Sequence, residues 1–211
     1  MALTFDAEHP DRPSDGQGAK ALIDGLQQLE VAATFFVQGR WAEAYPELAA
    51  RLATDGHLVG SHSFYHARMS LFDRRGFRTD VRAAERAIRL FAGRDPRPWF
   101  RMPFGSGADR AVLVDRLADL GYRHIGWNVS GLDWHRGRAA RGVEETVVAG
   151  AMAHGDGTII LLHTWPDATA AALPRLVSRL RAAGAELVRV DQLDLAPDLT
   201  PVGNQRPRSL T

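Results

Sequence analysis

Val31-Ala32-Ala33-Thr34-Phe35-Phe36-Val37 is an unbroken apolar run of strand length. It lacks the polar–apolar alternation of a half-exposed strand, so it reads as a strand covered on both faces, as in parallel sheets. The covering elements lie on either side of it. Upstream, Leu22, Leu26 and Leu29 recur at helical spacing, behind a short strand, Leu3-Thr4-Phe5-Asp6, and a breaker-rich loop from His9 to Gly16. Downstream, a helix carrying Leu48 and Leu52 stops at Gly56 and leads into the strand His57-Leu58-Val59-Gly60-Ser61-His62.

The unit then repeats. Val81, Ala84, Ile88 and Phe91 stripe a third helix ending at Gly93, before the strand Trp99-Phe100-Arg101-Met102. Leu113, Leu117 and Leu120 stripe a fourth, ending at Gly121, before a strand from Tyr122 to Val129. A fifth helix from Val143 to Ala153 precedes Thr158-Ile159-Ile160-Leu161-Leu162. A sixth, with Leu173, Leu176, Val177 and Leu180, stops at Gly184 before the strand Ala185 to Val190. Glycine just past a helix is a common stop. The pattern predicts an α/β chain of about seven strands and about six helices, its parallel sheet either closed into a barrel or open and doubly wound. No Gly-x-Gly-x-x-Gly follows the first strand, which weakens a dinucleotide-binding version. One domain over residues 1–193 is expected, with residues 194–211, carrying Pro197, Pro201 and Pro207, as a loosely packed tail.

Composition narrows the chemistry. Among 211 residues the formal charge is +1, too small a basic field to argue for nucleic acid. There is no cysteine, which excludes thiol catalysis, disulfides and thiolate-bound zinc. Lys20 is the only lysine, so Schiff-base and P-loop chemistry have no obvious residue. No apolar run of about 18 residues exists to span a membrane, and the first residues lack a signal-peptide layout. As written the chain reads as cytoplasmic; a trimmed leader would make it secreted or wall-associated.

Functional groups of parallel-strand folds gather at strand carboxyl ends. Here those ends carry Asp6-x-Glu8, His62-x-x-x-His66, Arg101-Met102-Pro103-Phe104-Gly105, Gly131-Leu132-Asp133-Trp134 and Leu161-Leu162-His163. On a helical turn, His62 and His66 would sit about 5–6 Å apart at Cβ and reach one ion. Taken alone, that spacing also describes two solvated histidines on a surface turn. In an extended segment Thr4, Asp6 and Glu8 point one way, and Phe5 and Ala7 the other. One carboxylate can then meet a cation while its neighbour stays free as a base.

This ordered set resembles the polysaccharide deacetylase family, also called the NodB-homology domain or carbohydrate esterase family 4. Thr4-Phe5-Asp6, His62-Ser63-Phe64-Tyr65-His66, Arg101-Met102-Pro103-Phe104-Gly105, Asp133-Trp134 and Leu161-Leu162-His163 resemble its five motifs in order. The similarity runs from Leu3 to Val190. It implies a NodB-like distorted (β/α)7 barrel and metal-dependent removal of N-acetyl groups from a sugar or polysaccharide. By this resemblance Asp6 is the general base, Arg101 its partner favouring the charged form, and His163 the acid, its pKa raised by Asp133. His62 and His66 are metal ligands, with a divalent ion, zinc or else cobalt, as cofactor.

Two positions depart from the family pattern. Ala7 stands where a metal-binding aspartate is usual, and Glu8, on the same side of the strand as Asp6, is expected to take over; His9 is a further candidate. Ser130 replaces an aspartate that often precedes the Asp-Trp pair. Phe104 through its backbone N–H, and Trp134 and Leu161 as walls of a methyl-sized slot, are the expected substrate contacts. Trp99 and Trp165 are aromatic but are assigned no role. The alternatives are a small non-sugar amide or ureide as substrate, or a sugar-binding homologue that has lost catalysis because of Ala7. Oligomeric state is not legible.

Overall fold

The period of two in the first strand sets the architecture. A computed structural model describes residues 1–9 and 15–195. Strand β1 (Ala2–Ala7) sends Leu3, Phe5 and Ala7 into the main apolar cluster, together with Phe35 and Val37 of β2 (Thr34–Val37). Helices α1 (Asp15–Gln28), α6 (Ala140–His154) and α7 (Asp167–Ala182) close that cluster with Leu22, Leu26, Val143, Val147, Leu173 and Leu176. A second cluster, Phe77, Val81, Phe100, Met102, Leu113 and Leu117, packs α4 (Arg74–Phe91) and α5 (Ala111–Ala118) beside β4 (Trp99–Phe100).

Strands β3 (Leu58–Ser61), β5 (Arg123–His124), β6 (Val129–Ser130) and β7 (Ile159–His163) complete one sheet in the order β5-β4-β3-β2-β1-β7-β6. Every pairing in it is parallel. The sheet curls into a half-barrel around Ala2, Phe36, Ile125, Ile159 and Val190, with the helices outside. The expected barrel is therefore borne out, and the open doubly wound sheet is not. Gly60 makes room for this interior, since a Cβ there would lie 2.9 Å from the Phe36 ring and 3.0 Å from Trp99 Cβ.

Several boundaries differ from the sequence reading. Tyr122–Val129 is not one strand but two short ones at opposite ends of the sheet. Between them the carbonyls of Ile125 and Gly126 accept from the Arg101 side chain at 3.1 and 3.0 Å. Ala185–Val190 forms no strand; the Val188 N–H donates to the Met1 carbonyl and the Val190 N–H to Thr34 Oγ1. The helix bearing Leu48 and Leu52 is two, α2 (Gly39–Ala44) and α3 (Pro46–Thr54), because Pro46 has no N–H to continue the first and its fixed φ opens the second. Of the expected loop, His9 lies outside any helix or strand, Asp15 and Gly16 belong to α1, and residues 10–14 lie outside the described residues. So do residues 196–211 of the expected tail. Among the described residues no helix is long and apolar enough to cross a membrane.

Candidate active site

Asp6 and Glu8, both buried, open on the inner side of β1 at its carboxyl end. Arg101, 0% exposed, reaches across from the residue after β4: one guanidinium nitrogen donates to Thr4 Oγ1 and Asp6 Oδ1, each at 2.9 Å. Its plane lies over the Phe36 ring, 4.1 Å from the centroid. With its two remaining bonds to Ile125 and Gly126, the cation spans the half-barrel between β1 and the segment after β5, and its geometry is fixed. Two carboxylates against one guanidinium leave the pit formally negative before any imidazole is counted.

The histidines arrive on a loop, not on a helical turn, which corrects the spacing argument. Ser63 (φ 65°) and His66 (φ 57°) take left-handed backbone conformations, so the chain doubles back after β3. Ser63 Oγ accepts the His66 N–H at 3.0 Å. Asp80 of α4, buried, accepts the N–H groups of Phe64 at 2.9 Å and Tyr65 at 3.1 Å. Burial raises the Asp80 pKa, and these two bonds work against that rise. The rings of His62 and His66 end 4.9 Å apart. His62 Nδ1 lies 2.8 Å from the Arg101 carbonyl, which makes Nδ1 the protonated nitrogen and turns Nε2 toward the carboxylates.

Around Glu8 the contacts converge. Its Oε2 lies 3.3 Å from His62 Nε2 and pairs with His66 Nε2; its Oε1 is 3.1 Å from His9 Nε2, 3.8 Å from His163 Nε2, and accepts from Trp165 Nε1 at 3.3 Å. Asp6 Oδ2 is 3.4 Å from His62 Nε2. Burial pushes the Glu8 pKa up, but the close approach of the His62, His66 and His9 rings outweighs it and holds the carboxyl well below its ordinary range. Burial lowers the His62 pKa, yet the Asp6 and Glu8 charges carry it above its ordinary value; for His66 burial wins and the shift is downward.

On the opposite wall Asp133 grips β7. Its Oδ1 is 2.8 Å from His163 Nδ1, and its Oδ2 accepts the His163 N–H at 2.7 Å and the Thr169 hydroxyl at 2.6 Å. Burial would lower the His163 pKa; the Asp133 charge and hydrogen bond reverse this and raise it to about 9. Trp134 stands edge-on to His163 at 5.2 Å, and Leu161 lies buried two residues earlier on the same face of β7. Phe104 (φ 58°), 55% exposed, sets its ring 4.6 Å from His66. Nine of the ten residues expected to form the site are therefore joined by contacts around one pit, and Leu161 stands beside them on β7. Trp99 is not among them; it packs with the inner cluster. Asp80 and Thr169, which orient other groups, were not singled out, because nothing at their own positions distinguishes them from ordinary helix residues.

A cation fits this donor set. Two groups can hold one, Asp6–Glu8–His62 and Glu8–His9–His66, with ligand atoms within 4.8 Å of one another in each. The clearest sign is His62 Nε2, which is buried without a well-formed hydrogen bond although two carboxylate oxygens stand within 3.4 Å. A lone pair aimed at that spot, with the other ring nitrogen on a carbonyl, is how a ligating histidine is held.

The half-barrel thus gathers buried carboxylates, imidazoles and a guanidinium at its strand carboxyl ends. Comparison with known proteins supplies the class. Residues 1–125 match the polysaccharide deacetylase family model, and the chain belongs to that family as a deacetylase-type hydrolase. It is 28% identical over 200 residues to a peptidoglycan-N-acetylglucosamine deacetylase of Bacillus cereus, covering 92% of this chain and 67% of the relative. To the corresponding Listeria monocytogenes enzyme PgdA it is 33% identical over 193 residues, 92% of this chain but 38% of that one. The solved T48 deacetylase with substrate superposes with a TM-score of 0.78 at 33% identity, covering 90% of this chain and 88% of that one.

Proposed function

We propose that this protein is a divalent-metal-dependent deacetylase that hydrolyses the N-acetyl groups of an N-acetylated glycan. The observation that carries this reading is the placement of Asp6, ion-paired to Arg101, within 3.4 Å of the nitrogen that Glu8 also approaches. Glu8, the carboxylate common to both groups, would hold the cation with His62 from one and His66 from the other, drawn together by the ion; one carboxylate and two imidazoles suit zinc, and cobalt(II) accepts the same donors. When bound, the cation supplies Lewis acidity toward the acetyl carbonyl.

The chain's own residues do the rest. Asp6, held in place by Arg101, takes a proton from the attacking water as its oxygen bonds to the carbonyl carbon. Phe104, on its strained turn, presents its backbone N–H toward the developing oxyanion. The C–N bond breaks as His163 Nε2 gives its proton to the departing nitrogen, leaving acetate and a free amine. Asp133 keeps that imidazole protonated and correctly turned. Leu161 and Trp134 wall the slot for the acetyl methyl, and the exposed Phe104 and Trp134 rings offer faces to a sugar. A non-sugar amide, or a lost enzyme, gains no support: a binding module needs neither Asp6 with its arginine nor His163 with its aspartate.

The test is acetate release from N-acetylglucosamine oligomers by protein loaded with zinc or cobalt. Turnover that vanishes in Asp6→Asn, with fold and metal content intact, is expected. Binding of the oligomers with no acetate released would overturn the reading.

A further inference from the structure

Away from the pit, Arg74, Arg75 and Arg78 of α4 and Arg116 of α5 line a single cleft floored by Phe77 and Leu120. The carboxylate lining it is Asp119; Asp73, next to the cleft, is engaged in capping α4 through the Gly76 N–H at 2.6 Å. Elsewhere on α4, Arg82 lies 3.1 Å from Glu85 and Arg89 2.6 Å from Asp95, while Arg86 stands alone rather than in a cluster. The four cleft guanidiniums have no carboxylate within 4 Å among the described residues. Three of them also sit in the first turns of α4, where the helix dipole disfavours positive charge. Like charges gathered from two helices, against both mutual repulsion and the dipole, stand in contrast to a chain whose formal charge is +1.

From this we infer that the cleft binds phosphate groups carried on a polyanion. Guanidinium forks donate in pairs to adjacent oxygens, and a tetrahedral phosphate can accept such pairs from several directions, which a planar carboxylate cannot. Successive phosphates on one chain would share four arginines better than a single free ion, so affinity should rise with phosphate number and fall steeply with salt. The site is separate from the acetyl-hydrolysing pit, and occupancy needs no residue assigned there.

Calorimetric titration of the full chain with inorganic phosphate and with tripolyphosphate, at matched ionic strength, tests this. Tripolyphosphate is expected to bind, with inorganic phosphate weaker. The triple variant Arg74→Gln, Arg78→Gln, Arg116→Gln should lose at least about tenfold in affinity. Its melting temperature should hold or rise, since the removed charges repel one another and oppose the helix dipole, and its deacetylation of small neutral oligomers should not change. No binding by the unaltered chain beyond a chloride control, or equal binding by the triple variant, would overturn the inference. The second result would show that the anion binds outside this cleft. Acetate release that fails in every protein would count against the proposed function alone, since the titration does not depend on it.

Discussion

Asp133 holds His163 at two points, one carboxylate oxygen on the ring at Nδ1 and the other on the backbone N–H, at 2.8 and 2.7 Å. A carboxylate so placed fixes both where the imidazole points and how tightly it keeps its proton. The Nε2–H then faces the pit, on the side of Glu8.

Because the His163 pKa is raised to about 9, the acid form persists through neutral pH and is lost only as pH rises through that value. Deacetylation is expected to fall on the alkaline side near pH 9. Asp133→Asn should move that limb down by at least about one pH unit, as removing a buried charge partner does. A pH profile of kcat/KM reads this directly; an unmoved limb would take the acid role from His163.

His163→Ala should slow amides about a hundredfold or more while sparing activated acetyl esters, whose leaving groups need no proton. Parallel rates on an N-acetyl sugar and a nitrophenyl acetate check it. Equal losses on both substrates would instead indicate damage to the whole pit.

Ala7 is 0% exposed and packs with Leu3, Phe5 and the helices. Restoring an aspartate by Ala7→Asp would bury a carboxylate on the wrong face of β1. Stability should drop by about 2–5 kcal/mol with no gain in metal affinity. Tighter metal binding by this variant would show that the strand can turn and that Glu8 is not the replacement ligand.

This position also shows what the sequence could and could not convey. Alternation along β1 is local, so the shared side of Asp6 and Glu8, and the opposite side of Ala7, were legible from six residues. The strand-end histidines were legible by type and order. Their geometry was not: the 62–66 loop depends on left-handed turns at Ser63 and His66 and on Asp80, which lies 14 residues beyond His66 on a helix whose stripe gives no hint of it. The break of Tyr122–Val129 into two strands was hidden for a similar reason, since its carbonyls answer to an arginine more than twenty residues earlier. Thr169 likewise reads as an ordinary helix residue until Asp133 is placed beside it.

Asp80→Asn should weaken metal binding by about tenfold or more, in the range of outer-sphere substitutions, because its amide cannot accept both loop N–H groups. Asp80→Glu should recover part of the loss. Melting curves and metal titrations together separate a loosened loop from an unfolded one; unchanged affinity in a folded Asp80→Asn would remove Asp80 from the site's support.

His57 supplies a stability test away from the pit. Its Nδ1 accepts the Ala33 N–H at 3.1 Å, and burial lowers its pKa to about 4. The folded state therefore takes up a proton less readily than the unfolded chain. Stability is full above the ordinary histidine range and is lost as pH falls from there through about 4, by at most about 3 kcal/mol. His57→Asn keeps an acceptor without titrating, so chemical denaturation should show a flatter slope across that window. An identical slope would contradict the neutral assignment.

The most direct measurement is cobalt or zinc titration into metal-stripped protein, alongside Glu8→Ala. The account predicts binding by the unaltered chain and a loss of about a hundredfold or more when the Glu8 carboxylate is removed. Undiminished affinity in Glu8→Ala, or no binding by the unaltered chain, would contradict a cation held by Glu8, His62 and His66.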